Sequence, residues 1–512
     1  MEAKALAAAA SNFSPPPLGG EWMTPIFLIF IPALFALLMP LFALMKIVEL
    51  RFVVALFCLL LCLMPLPFLE SIQESGVIIQ NINFFSFFEV TLTMGFFELM
   101  FITFFSFVSF VISLYGLSYE ALSAPSEDLR RSISFLLALA GSFGMLLSSN
   151  FGNLLFFYLF TNTSIYWLIK SNLGTEAARK IYLFSNFLSS SFLILGVFTI
   201  YQTLGSGDMY EFGANLKNMD RFSLYMAMGL FLLSFFVKAE IFPLNVWIVN
   251  LYKESEPQNV AFFSAVTTKA YFIALIQLLA IFFKLSPLLQ EAMILVGGIS
   301  MVFANFHALR ELSIKRVLAY SSMSQIGLII MGIGYNLHQV NEGIFFHLIN
   351  HSLAISLMYL SVGYIARQYK GDDTGLLRGC SIAMPISSFF FTLGAMSLMG
   401  FPPFSGFFSK LLILKGFADY QLFTPILFIF LASLGEALLY FRIIRTFYSN
   451  RPSKLIKHTI VPNLMYASIM ILGALVIYLG VFPSSLFFIV SSGVEEFMNG
   501  KILIPIGIRA FQ

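Results

Sequence analysis

Apolar runs of about 20 residues, separated by short polar stretches, fill almost the whole chain, and each is long enough for one helix across a bilayer. Fourteen spans are predicted, at roughly 24–45, 52–69, 86–115, 132–149, 151–170, 180–203, 221–250, 257–283, 287–309, 317–334, 341–366, 382–414, 422–445 and 461–490. Within the seventh, the stretch FFVKAEIFPLNVW carries Lys238 and Glu240 ahead of Pro243. Proline lacks an N–H and clashes one turn back, so the helix is expected to break near residue 239. The run at 382–414 is long for one span and contains GFPPFSGF, which predicts a second broken helix. A broken helix beside a buried ionisable group is a known way of building an ion site in a membrane.

Basic residues test this division. Loops after odd-numbered spans carry nineteen lysines and arginines, and loops after even-numbered spans carry four. That bias predicts both termini on the outer face.

Composition agrees with the pattern. The chain has 512 residues, 59% hydrophobic and 11% charged, far below the charged share of a soluble domain. The 62 phenylalanines suit lipid-facing and helix–helix surfaces, and a net charge of +3 gives nucleic acid nothing to grip. Cys58, Cys62 and Cys380 fall in or beside apolar runs and read as small buried hydrophobes, with no further ligands to complete a metal set. Residues 1–23 read as a flexible lead without the basic region of a cleaved signal. No nucleotide fingerprint, Ser-His-Asp order, haem or iron–sulfur pattern is found. The loops are short, so no cofactor is expected and any redox chemistry would come from another chain.

Against this background the ionisable residues inside spans stand out. A lysine at bilayer depth costs at least ~2.5–3.5 kcal/mol on insertion scales, so it faces protein or water. Lys238, Lys269 and Lys410 are such residues, with His347 and His351 one turn apart in FHLINHSL. Glu98, Glu240 and Glu436 are the acidic candidates. One such residue alone reads equally as a polar tie between helices, or as a lysine snorkelling to the interface. The histidine pair has metal-ligand spacing but no third ligand nearby. Neutral imidazole takes a proton on one nitrogen and releases it from the other, and a buried amine exists with or without its proton near neutral pH. A lateral proton path of Lys and His groups bridged by water fits all five.

At these residues the sequence resembles the antiporter-like membrane subunits of respiratory complex I, membrane-bound hydrogenases and multisubunit Na+/H+ antiporters. The resemblance runs from about residue 86 to 485. It is carried by VKAEIFPLNVWI, AFFSAVTTKAY, SIKRVLAYSSMSQIGLI, FHLINHSL and GFPPFSGFFSKLLIL, with LLYFRIIRTFY and YLGVFPSSL behind them. It implies an all-α polytopic membrane protein of about 14 transmembrane helices. Two inverted five-helix repeats would span 132–283 and 287–445, with broken helices in spans seven and twelve. Helices one to three would occupy 24–115, and a C-terminal helix and tail 461–512. It also implies a proton path through Lys238, Lys269, His347, His351 and Lys410, and other membrane subunits, lipid, and H+ or Na+ as partners. At Lys410 the chain is similar to the branch that holds the N-type subunit of complex I and the D-type subunit of the antiporters.

Two departures stand out. The family's fifth-span Glu, which pairs with the seventh-span lysine, has no counterpart in NLLFFYLFTNTSIYWLIK, and a usual lysine is replaced by Ile355. Glu240 is therefore expected to turn toward Lys238 as a substitute acid. The main expectation is a proton- or cation-translocating, non-catalytic subunit of a redox-driven or antiporter complex in an energy-transducing membrane. The alternatives are a structural subunit that has lost transport and a subunit of a stand-alone Na+/H+ antiporter.

Overall fold

The computed structural model describes residues 24–45, 49–84, 88–119, 125–169, 175–216, 219–282, 287–453 and 462–498. The expected lead at 1–23 and the topology residues Lys4, Lys46, Lys170, Lys217, Lys284, Lys454, Lys457, Lys501 and Arg509 lie outside them. The described residues form mostly helix. In chain order the helices are α1 (Ile26–Met45), α2 (Leu50–Leu61), α3 (Phe68–Ser75), α4 (Phe96–Tyr119), α5 (Pro125–Leu147), α6 (Phe151–Leu168), α7 (Glu176–Leu204), α8 (Met209–Asn215), α9 (Arg221–Lys238) and α10 (Val246–Glu254). They continue with α11 (Pro257–Phe282), α12 (Pro287–Ala308), α13 (Ile314–Tyr335), α14 (His338–Tyr369), α15 (Cys380–Ala383), α16 (Pro385–Met399), α17 (Ser405–Asp419), α18 (Phe423–Phe447), α19 (Asn463–Val481) and α20 (Pro483–Met498). Eleven helices among the described residues are long and apolar enough to cross a membrane.

Three of the expected spans take a different form. The run at 52–69 is not one helix: α2 ends at Leu61, and the chain turns through Pro65 and Pro67 before α3. Proline cannot continue the backbone ladder, which accounts for the stop. The run at 86–115 opens with a strand. Residues Ile78–Phe84 (β1) and Phe88–Met94 (β2) pair antiparallel, Ile78 opposite Met94 and Asn81 opposite Thr91, and α4 starts only at Phe96. A purely helical class is thus corrected to helices plus one hairpin. EVTLTM alternates with the period of a strand, and its Thr91 carbonyl accepts from Ser149 Oγ (3.0 Å) and Asn153 Nδ2 (3.1 Å) at the α5–α6 corner. The run at 461–490 divides into α19 and α20 at Pro483.

The helices sort by what surrounds them. In α14 the whole membrane-length window is buried within the protein, and in α11 and α13 94% of it is, whereas in α18 33% is. Outer helices instead display large apolar side chains, among them Phe187 and Phe198 on α7, Phe222 on α9, Phe430 on α18 and Phe488 on α20. A surface of that kind suits hydrocarbon. Inside, small residues bring backbones together. A Cβ on Gly297 of α12 would lie 2.6 Å from both the Gly327 carbonyl oxygen and the Met331 nitrogen of α13, so only glycine permits that approach. Polar caps fix several helix starts, as where Asp220 accepts from Ser223 N (3.0 Å) at α9.

Candidate functional site

The buried ionisable residues sit around two turns of similar backbone, one between α9 and α10 and one between α16 and α17. In the first, Glu240 has a positive φ of 63°, Ile241 N donates to Phe236 O (3.4 Å), and Leu244 N donates to Ile241 O (2.8 Å). In the second, Gly400 has a φ of 81°, Phe401 N donates to Met396 O (3.0 Å), and Phe404 N donates to Phe401 O (3.0 Å). Each helix therefore ends on a left-handed residue whose successor bonds back over five residues, the Schellman form of helix stop. Prolines follow three residues on, at Pro243 and Pro403.

Lys238 is the last residue of α9 and is buried. Its amine donates to Asn186 Oδ1 on α7. It lies 4.4 Å from the ring centre of Tyr182, 5.3 Å from that of Trp247 and 6.0 Å from that of Tyr271. Each ring offers the negative face of its quadrupole to an ammonium. Trp247 Nε1 donates to the Val237 carbonyl (2.6 Å), which locks the indole under the turn. Tyr271 donates to Asn162 Oδ1 (2.6 Å), extending the cluster to α6.

Glu240 does not turn toward Lys238, contrary to the expectation. Its Oε1 accepts from Tyr252 of α10 (2.8 Å) and from Thr268 of α11 (3.1 Å). The charged group acting on it is Lys269. The physical reason is the left-handed backbone at Glu240, which leaves the helical path and sends the side chain across to α10 and α11.

Lys269 follows a π-helical turn at Phe263–Thr267 and is fully buried. Its Nζ has no hydrogen-bond partner among the described residues, and neither has either ring nitrogen of His351. His347, one turn away on α14, is fully engaged. Its Nε2 meets Gln325 Oε1 (2.9 Å) and its Nδ1 meets Ser409 Oγ (2.9 Å). Gln325 Nε2 donates onward to Glu436 Oε1. A carboxamide oxygen only accepts, so this arrangement makes His347 Nε2 the donor. Glu436 Oε2 then pairs with Lys410 Nζ at 2.7 Å, and Ser324 Oγ donates to Oε1 (3.2 Å). His347, Gln325, Glu436 and Lys410 thus form one unbroken buried chain across α14, α13, α18 and α17. Asn350, between the two histidines, accepts from Ser397 (2.8 Å) and Ser405 (2.5 Å) and anchors the second turn.

Glu98 stands apart. It accepts from Gly95 N (2.8 Å) and Gln277 Nε2 (2.9 Å), close to the buried Glu496 of α20, and no hydrogen bond joins it to the lysines or histidines among the described residues. Gln325, Asn186, Ser409 and Glu496 were not singled out by sequence reasoning. A lone Gln or Asn inside an apolar span was the available signal. No group of three metal-ligating side chains occurs among the described residues.

Residues 148–435 match the profile of the NADH:quinone oxidoreductase/Mrp antiporter transmembrane family. The chain is 30% identical over 309 residues to the chloroplastic NAD(P)H-quinone oxidoreductase subunit 5 of Phaseolus vulgaris, covering 57% of this chain and 40% of that protein. It is 26% identical to the D-type Na(+)/H(+) antiporter subunit of Alkalihalophilus pseudofirmus, covering 68% of this chain and 72% of that one. Among solved structures, it is similar to a chain of the membrane-bound sulfane sulfur reductase, an archaeal respiratory membrane complex. There the TM-score is 0.85 at 26% identity, over 94% of this chain and 99% of that chain.

Proposed function

The chain belongs to the NADH:quinone oxidoreductase/Mrp antiporter membrane family, and from that premise we propose that it translocates protons as an integral subunit of a larger membrane complex. The observation that carries this reading is the buried chain from His347 through Gln325 and Glu436 to Lys410. Each link holds a group that gives or accepts a proton, or a carboxamide that orients one. Lys269 and His351 are fully buried and interact electrostatically with this chain, and this reading takes them as its extension toward Lys238. The same reading takes α9 with α10, and α16 with α17, as the two broken spans of inverted repeats, fourteen spans in all. The matching turns at Glu240 and Gly400 support that pairing. The partners are other membrane subunits of a respiratory or antiporter assembly in an energy-transducing membrane.

The test is Lys410→Ala in the assembled complex reconstituted in vesicles. Proton flux should fall with subunit composition unchanged, and unchanged flux would refute the reading. A second reading, a subunit that holds its neighbours together without transport, is favoured by one observation: among the described residues the cation site at Lys238 contains a carboxamide and three rings but no carboxylate.

A further inference from the structure

Resting on the transport reading, we propose that Glu240 is the working counter-charge of Lys269, so that the acid–lysine pair of the first half is built at the turn and on α11 instead of around Lys238.

The backbone is the first reason. Left-handed φ is the conformation glycine adopts freely and other residues adopt under strain. The equivalent turn in the second half uses Gly400 at φ 81°, whereas this one uses glutamate at φ 63°. Glycine would close the turn equally well, so the strain is tolerated for the side chain.

The surroundings of that side chain are the second reason. Glu240 is fully buried. Its Oε1 is fixed by Tyr252 and by Thr268, the residue immediately before Lys269. Its Oε2 accepts no hydrogen bond among the described residues, and Ser322 of α13 lines the same pocket. A carboxylate held this way by one oxygen keeps the other available.

The lysine is the third reason. Lys269 Nζ is fully buried and makes no hydrogen bond among the described residues, and Glu240 is the charged group acting on it. A buried ammonium needs a partner charge. The two groups interact electrostatically without a closed ion pair at 4.0 Å or less. Lys269 in turn acts on both imidazoles of α14, His347 and His351. When Lys269 passes its proton on as an amine, Glu240 is left as an unneutralised carboxylate that draws the next proton to the pair.

The test uses the assembled complex in proton-loaded vesicles with four variants. Glu240→Gln removes the charge at constant shape. Glu240→Gly gives the turn the residue its backbone prefers. Both should lower proton flux by at least about tenfold, within the range of coupling between interacting residues. Glu240→Asp should recover part of it. Lys269→Met added to Glu240→Gln should cause no further loss. A turn-shaping role makes the opposite forecast, in which Glu240→Gly transports normally. Wild-type flux in Glu240→Gln alongside a blocked Lys410→Ala overturns the pair and leaves the transport reading standing. Unchanged flux in both overturns the two together. Should Glu240→Gln fail to assemble, the double variant decides: assembly restored by removing the second charge supports the pair, and continued failure overturns it.

Discussion

Lys238 and Lys410 flank the same kind of backbone turn and are held in opposite ways. Lys238 precedes its turn and is enclosed by three aromatic rings and Asn186. Lys410 follows its turn and is paired with Glu436, which continues through Gln325 to His347. The side chain at the left-handed position differs to match. A Cβ on Gly400 would lie 3.1 Å from Lys410 Cδ, so the second turn keeps glycine to let the lysine stem pass. At the first turn Glu240 occupies the position. Two copies of one turn thus accept different electrostatics, because its backbone bonds fix the helix ends and leave the side chains free.

The comparison is sharpened first by removing the pair. Glu436→Ala leaves Lys410 buried without its carboxylate and strips Gln325 and Ser324 of an acceptor. Breaking a buried pair from one side destabilises by about 3–5 kcal/mol, so both proton flux and the melting temperature of the complex should drop sharply. A complex that melts and transports as wild type would mean that the Lys410–Glu436 contact carries no function. Next, Gln325→Leu cuts the link between His347 and Glu436 while keeping the volume. Flux should fall several-fold with assembly intact, and flux assays at matched subunit content read this directly.

Lys238→Met should cost less flux than Lys410→Met, because the hydrogen bonds leading from the caged amine run through Asn186 to Asn162 and Tyr271 and meet no carboxylate or imidazole among the described residues. Equal losses would break the comparison. The smallest effect is expected for Trp247→Phe. It keeps a ring near Lys238 and loses the N–H bond to Val237, a change of about 0.5–1.5 kcal/mol. A small drop in thermal stability with flux preserved is the expected outcome.

The lysines, histidines and prolines were legible in the sequence because charge is rare in apolar runs and proline stops helices locally. The direction of Glu240 was not. It depends on one left-handed φ, which no periodic pattern records. Gln325 and Asn186 were missed because their importance comes from partners 111 and 52 residues away in the chain. The hairpin was missed for another reason. FFSFFEVTLTM is apolar enough to extend a helical run, and its strand period is short. The ends of α2 and α19 were misjudged because hydropathy continues across Pro67 and Pro483, while the backbone does not.

One consequence concerns the making of the protein. The membrane-length window of α14 has a mean hydropathy of 1.4, against 2.7 for that of α1, and is wholly buried within the protein; the helix carries His347, Asn350, His351, Ser352, Ser356 and Ser361, all buried. Its own apolarity is a weak reason to leave the insertion machinery. The partner that fixes His347 from α17, Ser409, lies 62 residues further on. At 5–20 residues per second, synthesis needs roughly 3–12 s to deliver it. For that interval α14 has α13 beside it and an open side where α16 and α17 will pack. The helix at the centre of the finished molecule is therefore the one most dependent, during biogenesis, on being sheltered until its neighbours arrive.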